Sequence, residues 1–330
     1  AWWAADLARP FTLTQAPLMR FLLVRLADEC YHFTWSHHHL LLDGWSTPLV
    51  LQDVFALYQA LAQADLPAAT VAPAPPASRP PYRDFIAWLQ TQEVAQGERF
   101  WRPRLAGITA PTPLGIDQGV GGRGDLESYA QQSLRLDETV TEQLKAQARR
   151  HQLTLNTLVQ GAWALLLSQY SGEQEVLFGT TVSGREANLP RIDEMVGVLI
   201  NTLPTRIRVE PAAPLLTWLH AIQQEAFAMR RYEATPQSQL QQWSDLAPGL
   251  PLYESVFVFA NYPLAEVLTS GDLRMGDITF FEKINAPLLI EVRPGQQLWL
   301  LLSYNQRRFT DAAIAQLGQH LHTLLRQMAE

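Results

Sequence analysis

The alternation of hydrophobic and polar positions near the start of the chain predicts a β-hairpin. Residues 18–26 form an apolar run broken by two arginines, and residues 30–36 alternate, with Tyr31, Phe33 and Trp35 on one face. A short polar turn separates the two runs, as expected for antiparallel neighbours. Beyond them, Ser46 and Thr47 are common helix N-cap residues, and helical spacing of apolar residues continues from Pro48. The segment between hairpin and helix is therefore predicted to be a loop that rigid elements hold at both ends.

The rest of the chain mixes strand and helix patterns without the regular alternation of a parallel α/β sheet. Helices are predicted at residues 84–93, 98–105, 138–150, 154–170 and 310–328. Strands are predicted at residues 129–136, 175–182, 203–209, 254–260, 288–293 and 298–304. This mixture favours an α+β fold in two lobes, which we place at residues 1–127 and 128–330.

Composition narrows the class of protein. The 330 residues are 47% hydrophobic and 17% charged, which is typical of a globular chain with a sizeable core. A net charge of −7 without a basic stripe argues against nucleic acid as a partner, and no apolar run is long enough to span a membrane. The single cysteine, Cys30, excludes a disulfide within the chain, which is compatible with a cytoplasmic location. The opening Ala1-Trp2-Trp3 does not read as a signal peptide, and we expect it to be an internal start within a longer polypeptide.

The predicted loop carries a candidate catalytic motif. It contains His38-His39-Leu40-Leu41-Leu42-Asp43-Gly44, which sets two imidazoles, a carboxylate and a glycine at fixed spacing. An imidazole, with a pKa of about 6.5, can accept a proton or donate a hydrogen bond at neutral pH, as acyl transfer requires. If the strand geometry continues, His38 and His39 point to opposite faces, so that one of them can face a cleft. Gly44 lets a substrate approach the backbone closely, and Asp43 can hold the loop by pairing with an arginine.

Other kinds of site have less support. A metal site formed by His37, His39 and Asp43 would need further ligands, and the sequence shows no cluster with zinc spacing. No Gly-x-Ser-x-Gly segment is present, and Cys30 lies in a strand pattern without an assigned base, so a covalent acyl-enzyme has no support. His32 and His37 are expected to be ordinary surface or core residues. We therefore predict direct transfer between two bound substrates and no metal site.

Five segments, in chain order, carry a further signal. They are HHLLLDGWS at 38–46, YRDFIAW at 82–88, VSGR at 182–185, VGVLINTLPTR at 196–206 and FANYP at 259–263. Together they resemble the condensation domains of nonribosomal peptide synthetases, over almost the whole chain. Residues 232–240 depart from that family's HQDxPFE pattern, which leaves the acceptor specificity open.

The resemblance implies a chloramphenicol-acetyltransferase-like fold, with two lobes in a V and a central tunnel that admits a phosphopantetheine arm from each side. The implied reaction forms an amide bond between an upstream peptidyl or aminoacyl thioester and the α-amine of a downstream aminoacyl thioester. The implied partners are the upstream and downstream carrier domains and an adjacent adenylation domain, with no cofactor bound directly. The family's early motifs have no counterpart here, so we expect an incomplete N-terminal lobe, and the activity of these residues alone stays open.

The resemblance also assigns residues. It implies that His39 lies at the tunnel centre as the catalytic residue, with His38 and Gly44 in support and Asp43 paired with Arg185. The residues implied to line the substrate tunnel are Trp45, Ser46, Asn201 and Asn261. The role of His39 as a general base or as a positioning group is left open, because a free α-amine with a pKa of about 8 is already partly neutral in the cytoplasm.

Two alternatives of other kinds remain open. One is another acyltransferase of the same fold, which takes its acyl group from coenzyme A or a carrier. The other is an inactive or non-catalytic docking fragment. Within the family, His38-His39 argues against a heterocyclisation domain, and Trp45 argues against an epimerisation domain. The sequence is silent on the donor and acceptor amino acids.

Overall fold

The described part of the chain folds as two compact units. The computed structural model describes residues 2–63, 78–118, 129–262, 276, 279–282 and 286–330. The first unit comprises Ala1–Gln90, Ala187–Ile200 and Tyr262–Thr279, and the second comprises Thr91–Glu186, Asn201–Asn261 and Phe280–Glu330. Each unit thus combines segments far apart in sequence. These units do not coincide with the sequence division at residue 127, which remains a prediction about the lobes of the family.

Among the described residues, the first unit contains a hairpin and three α-helices. Strands β1 (Met19–Ala27) and β2 (Cys30–His37) pair in antiparallel register. The helices are α1 (Trp2–Ala8), α2 (Ser46–Gln63) and α3 (Tyr82–Gln90). The predicted hairpin is confirmed to within one residue, and α2 begins where its N-terminal signals lie. Helix α1 was not predicted, because seven residues are too few to show a helical period.

Asp6 joins α1 to the hairpin. Its carboxylate accepts hydrogen bonds from Arg20 Nε at 2.7 Å and from the hydroxyl of Ser36. Arg20 also donates to the backbone carbonyls of Asp6 and Arg9, at 3.1 and 3.0 Å. Burial acts to raise the pKa of Asp6, but the hydrogen bonds from Ser36 and Arg20 and the charges of Arg20 and Arg9 outweigh it and hold the pKa below its usual value. The ionised carboxylate therefore stabilises this junction.

In the part that the structure describes, the second unit is built on a mixed sheet of six strands. They are β3 (Tyr129–Arg135), β4 (Glu175–Val182), β5 (Asn201–Arg208), β6 (Ser255–Phe259), β7 (Leu288–Arg293) and β8 (Trp299–Asn305). Their order is β3-β8-β7-β6-β4-β5, in which β7–β6 and β6–β4 are parallel and the other pairs are antiparallel. Each of the six strands was predicted to within two residues at either end. The mixed order confirms the predicted α+β class.

Helices cover this sheet. They are α4 (Val94–Leu105), α5 (Glu138–Arg150), α6 (Leu155–Ser171), α7 (Leu215–Arg230), α8 (Gln237–Gln242) and α9 (Asp311–Ala329). The main core brings α6 and α9 onto the strands, with Trp163 and Leu317 among the buried side chains that join Phe178 and Ile290. Among the described residues, none of the helices has the length and apolarity needed to cross a membrane.

Side-chain caps explain why several of these helices begin where the sequence predicts. Asp137, Thr154 and Thr310 each accept a hydrogen bond from the backbone N–H three residues further on, at the start of α5, α6 and α9. At the other end of α6, Gly172 has a φ of +74°, which favours glycine, and the helix ends there. Helix α7 has no such signal, since Pro214 precedes it and makes no side-chain cap.

Candidate active site

The loop with the two motif histidines begins where β2 ends. The strand stops at His37, and the N–H of His38 donates to the carbonyl of Leu18 at 2.9 Å. The carbonyl of His38 then accepts from the N–H of Leu41 at 3.0 Å, which closes a turn with His39 and Leu40 at its tip. His39 is exposed. The strand geometry does not continue through the motif. The greater exposure of His39 than of His38 therefore arises from this turn and not from the alternation of side chains along a strand.

His38 is held on two sides. It is half-buried, and its Nδ1 accepts a hydrogen bond from the N–H of Leu40 at 3.1 Å. Its ring meets the ring of Phe11 edge-on, with 6.2 Å between the centroids. An Nδ1 that accepts places the proton of the neutral ring on Nε2. These contacts support a structural role for His38.

Asp43 joins the motif to a distant segment of the same unit. Its side chain is buried, with 1% of the residue exposed. Oδ1 accepts from the N–H of Ser46 at 2.9 Å, and Oδ2 accepts from the N–H of Leu199 at 3.0 Å. The N–H of Asp43 donates to the carbonyl of Gly197 at 3.1 Å. Because the N–H of Ser46 belongs to the first turn of α2, Asp43 caps this helix in place of the predicted Ser46 or Thr47.

Ser46 completes the same junction and is fully buried. Its hydroxyl accepts from the N–H of Gly197 at 3.0 Å and lies 2.8 Å from the carbonyl oxygen of Gly197. Tyr82, at the start of α3, donates its hydroxyl to the carbonyl of Val198 at 2.8 Å. A Cβ at Gly197 would overlap the Tyr82 ring, so this packing requires glycine. Three of the five segments that resemble the family therefore meet in one unit, and a contact of Ser46 with substrate stays a prediction.

Gly44 provides clearance for an aromatic ring. A Cβ at this position would overlap the ring of Tyr262. Trp45 meets the same ring edge-on, with 5.6 Å between centroids and 77° between ring planes. The clearance at Gly44 was predicted from the sequence to serve a substrate, whereas the structure places Tyr262 next to it. In the sequence, Tyr262 is only one residue of the segment 259–263, and nothing in the local pattern indicates its contact with Gly44.

The loop offers one accessible group for proton exchange. The imidazole of His39 is exposed, whereas both carboxylate oxygens of the buried Asp43 accept hydrogen bonds. Across the ranges that the structure describes, no three His, Cys, Asp or Glu side chains are grouped so that they could hold a metal ion. The loop suits a reaction in which an imidazole exchanges a proton or a hydrogen bond with a bound reactant.

The second unit holds the other predicted site residues. Arg185 follows Ser183 and Gly184 in the loop after β4, and 8% of it is exposed. Its N–H and its guanidinium donate to the hydroxyl and the carbonyl of Ser183, at 3.2 and 3.3 Å. Gly184 has a φ of +67°, a conformation that favours glycine. Asn261, two residues beyond the end of β6, is exposed. The pairing of Asp43 with Arg185 stays a prediction.

Asn201 anchors a turn of the second unit. Its Nδ2 donates to the carbonyls of Glu233 and Thr235, at 2.8 and 2.7 Å, and its Oδ1 accepts from the N–H of Thr202 at 2.9 Å. Trp101 Nε1 donates to the hydroxyl of the same Thr235 at 3.1 Å. Both amide hydrogens of Asn201 are thus bound by backbone carbonyls. This supports a structural role, and contact of Asn201 or Asn261 with substrate stays a prediction.

Glu233 is a buried acid that was not predicted from the sequence. It is 9% exposed, and its Oε2 accepts from the N–H of Gly184 at 3.2 Å. Burial, with a smaller contribution from the charge of Glu186, raises the pKa of Glu233 to about 7 against the opposing effects of Gly184 N–H and Arg230. The one available signal was the departure of residues 232–240 from the family pattern.

Comparison with known sequences identifies the family. The family model described as the condensation domain matches residues 1–330. The chain is 42% identical over 328 residues to a component of the linear gramicidin synthase of Brevibacillus parabrevis, and 40% identical over 319 residues to the chondramide synthase of Chondromyces crocatus. These matches cover 98% and 96% of this chain but only 4% and 8% of the relatives. The chain therefore spans a small part of the length of the curated relatives that it matches.

Solved structures show the same fold. The starter condensation domain of rhizomide synthetase has a TM-score of 0.79 at 20% identity, covering 99% of this chain and 72% of that one. The X-domain from teicoplanin biosynthesis has a TM-score of 0.79 at 22% identity, covering 98% and 75%. These likenesses confirm the predicted fold. With a family model that matches its whole length and relatives at up to 42% identity, the chain belongs to the condensation domain family, which its sequence motifs resemble.

Proposed function

We propose that this domain forms the amide bond between two carrier-bound thioesters. The α-amine nitrogen of the downstream aminoacyl thioester attacks the carbonyl carbon of the upstream thioester. The new C–N bond forms, the C–S bond breaks, and the upstream phosphopantetheine leaves as a thiol that carries the proton given up by the amine. Membership of the condensation domain family and relatives named as gramicidin and chondramide synthases support this reaction.

His39 is the residue that we assign to the reacting centre. The observation that carries this assignment is its exposed position at the tip of a turn with both flanks fixed. On one side His38 is hydrogen-bonded to Leu18. On the other side Asp43 is hydrogen-bonded to Gly197 and Leu199. A fixed loop lowers the entropy lost when a reactant is aligned with the imidazole. His39 then accepts the amine proton or holds the amine and the developing oxyanion by hydrogen bonds.

The proposed partners are the carrier domains that present the two thioesters and the adenylation domain that loads the acceptor. The small share of each relative that this chain covers supports a place within a larger synthetase. Phosphopantetheine enters as part of the substrates. The proposed location is the cytoplasm.

The test uses the synthetase polypeptide that contains this domain. Wild type and His39→Ala are incubated with ATP and the twenty amino acids, and the acyl groups on the downstream carrier are identified by mass spectrometry. We expect wild type to form a dipeptidyl or longer thioester, and His39→Ala to lose about 100-fold in rate while its carriers remain loaded. His32→Ala, which changes another exposed histidine of the same unit, is the matched control and should keep the wild-type rate.

The outcomes separate the candidate functions. A wild-type synthetase that loads both carriers but joins nothing contradicts amide formation. Transfer from an acyl-coenzyme A in place of the upstream carrier would favour the alternative acyltransferase. Equal rates for His39→Ala and wild type would remove His39 from the reacting centre. An unchanged pH–rate profile with a modest rate loss would exclude general-base catalysis and retain the positioning role.

A further inference from the structure

The loop after β4 is bound by a side chain from a distant turn. Gly184, in the middle of the Ser183–Gly184–Arg185 loop, has a φ of +67° and is buried. Its N–H donates to Oε2 of Glu233 at 3.2 Å, 49 residues further along the chain. A change in this carboxylate therefore acts directly on the backbone next to Arg185.

The turn that carries Glu233 is itself fixed. Asn201 binds the carbonyls on both sides of residue 234, and the buried Trp101 binds the hydroxyl of Thr235. The ring of Tyr232 stacks on Phe100, with 4.1 Å between centroids and 20° between planes. Because the turn has little freedom to adjust, a change in the charge of Glu233 alters the conformation of the loop after β4 instead.

In addition to the hydrogen bond from the Gly184 N–H, the charges of Glu186 and Arg230 act on this carboxylate. Glu186 repels it, Arg230 attracts it, and these two groups also pair with each other at 3.4 Å. Burial favours the neutral form, and the pKa of about 7 means that both forms are populated near neutral pH. The ionised form is the stronger acceptor for an N–H donor.

We propose that Glu233 is a positioning residue for Arg185: its carboxylate, on the turn that Asn201 anchors, holds the Gly184 N–H and so sets the backbone conformation at Arg185. The inference rests on the proposed function and on the supporting role that the family resemblance implies for Arg185. Glu233 itself touches no reacting atom. Its ionisation tightens the loop, so the condensation rate contains a factor that rises with pH through about 7.

The test compares wild type and Glu233→Gln in the complete synthetase. Glutamine keeps an oxygen that can accept the Gly184 N–H, but it does not titrate. The ratio of the two condensation rates, measured from about pH 5.5 to about pH 8.5, cancels every pH-dependent factor that the two proteins share. We expect this ratio to change with a midpoint near pH 7 and the effect to lie in kcat. Glu233→Ala, which removes the acceptor, should lose about 10-fold at pH 8.

Charge variants test the assignment of that midpoint. Glu186→Gln removes a repelling charge and should move the midpoint to lower pH, whereas Arg230→Gln should move it to higher pH. Glu173→Gln, an exposed glutamate of the same unit, should leave it unchanged. A flat ratio for Glu233→Gln, or a midpoint that does not move in Glu186→Gln, overturns the proposal.

A measurement independent of activity completes the test. Hydrogen exchange of the Gly184 amide should be faster in Glu233→Ala than in wild type, while amides within β4 keep their protection. Equal exchange at Gly184 in the two proteins would overturn the proposal even if the synthetase joined no substrates. Absence of condensation in wild type with faster exchange in the variant would instead contradict the proposed function alone.

Discussion

Asp43 accepts a hydrogen bond from the backbone N–H of Leu199 at 3.0 Å, across 156 positions of sequence. The other oxygen of the same carboxylate caps α2 through the N–H of Ser46. One buried side chain therefore fixes both the histidine loop and the segment that faces it within the unit. In the proposed reaction the motif acid sets the position of the loop, and the imidazole of His39 acts on the substrates.

Asp43→Asn should destabilise this junction. The amide places an NH₂ group against one of the donors that the carboxylate now accepts, so either Leu199 or Ser46 loses its partner. We expect a loss of about 2 kcal/mol in the free energy of unfolding, because a buried donor without an acceptor costs that order. Urea unfolding measures it. Asp28→Asn, in an exposed ion pair with Arg25, is the control and should change little; equal stability of the two variants would contradict the junction.

Gly44→Ala should strain the contact with Tyr262. The added Cβ overlaps the ring, and overpacking of this kind costs about 1–3 kcal/mol. Tyr262→Ala removes the obstacle, so the double variant should lose less than the two single variants together. Unfolding free energies of the four proteins provide this comparison. Strictly additive losses would show that the ring does not limit the size of residue 44.

Glu233 should make the protein less stable as pH rises towards neutrality. Its pKa in the folded state is about 7, above the usual 4.5, so the folded protein retains a proton that the unfolded chain has released. The contribution is complete below about pH 4.5 and is lost as pH rises through about 7, a change of about 3 kcal/mol at most. Urea unfolding of wild type and Glu233→Gln between about pH 5 and 8 should show the variant gaining relative stability with pH. A constant difference would refute the shift.

Asp6 should show the opposite dependence. Its folded-state pKa lies below the usual 3.8, so its stabilising contribution is complete above that value and is lost as pH falls through the folded-state pKa. Asp6→Asn should therefore be less stable than wild type at neutral pH, and the deficit should shrink in acid. Tryptophan fluorescence during acid titration follows the unfolding. A deficit that is the same at neutral and acid pH would mean that the charge of Asp6 does not stabilise the contact with Arg20.

Elements with local signals could be predicted closely from the sequence. The predicted bounds of α5 and β4 match those in the structure, since Asp137 caps the helix and the strand is a short apolar run with a defined end. Helix α7 could not be found in this way. No side chain caps it, and exposed Leu215 and Phe227 blur the division between its apolar and polar faces.

The candidate site could be predicted only in part. Local patterns locate the motif, whereas the hydrogen bonds that fix it come from residues distant in sequence. The patterns before and after residues 38–46 place the motif between a strand and a helix. The hydrogen bonds between Asp43 and Leu199 and between Glu233 and Gly184 join residues far apart in sequence. No local sequence pattern at either residue indicates its partner. Such pairs follow from the tertiary fold. The role of Asp43 as a helix cap and the buried hydrogen bond of Glu233 to Gly184 were therefore found only in the structure.

The turn at His38 has a consequence for how this loop can vary between related proteins. Four residues separate His38, bonded to Leu18, from Asp43, bonded to Gly197. An insertion or deletion among them would shift one of those bonds out of register, whereas Leu40 and Leu41, which are not fully buried, leave room for substitution. Homologues should therefore differ in the side chains between histidine and aspartate far more readily than in their number.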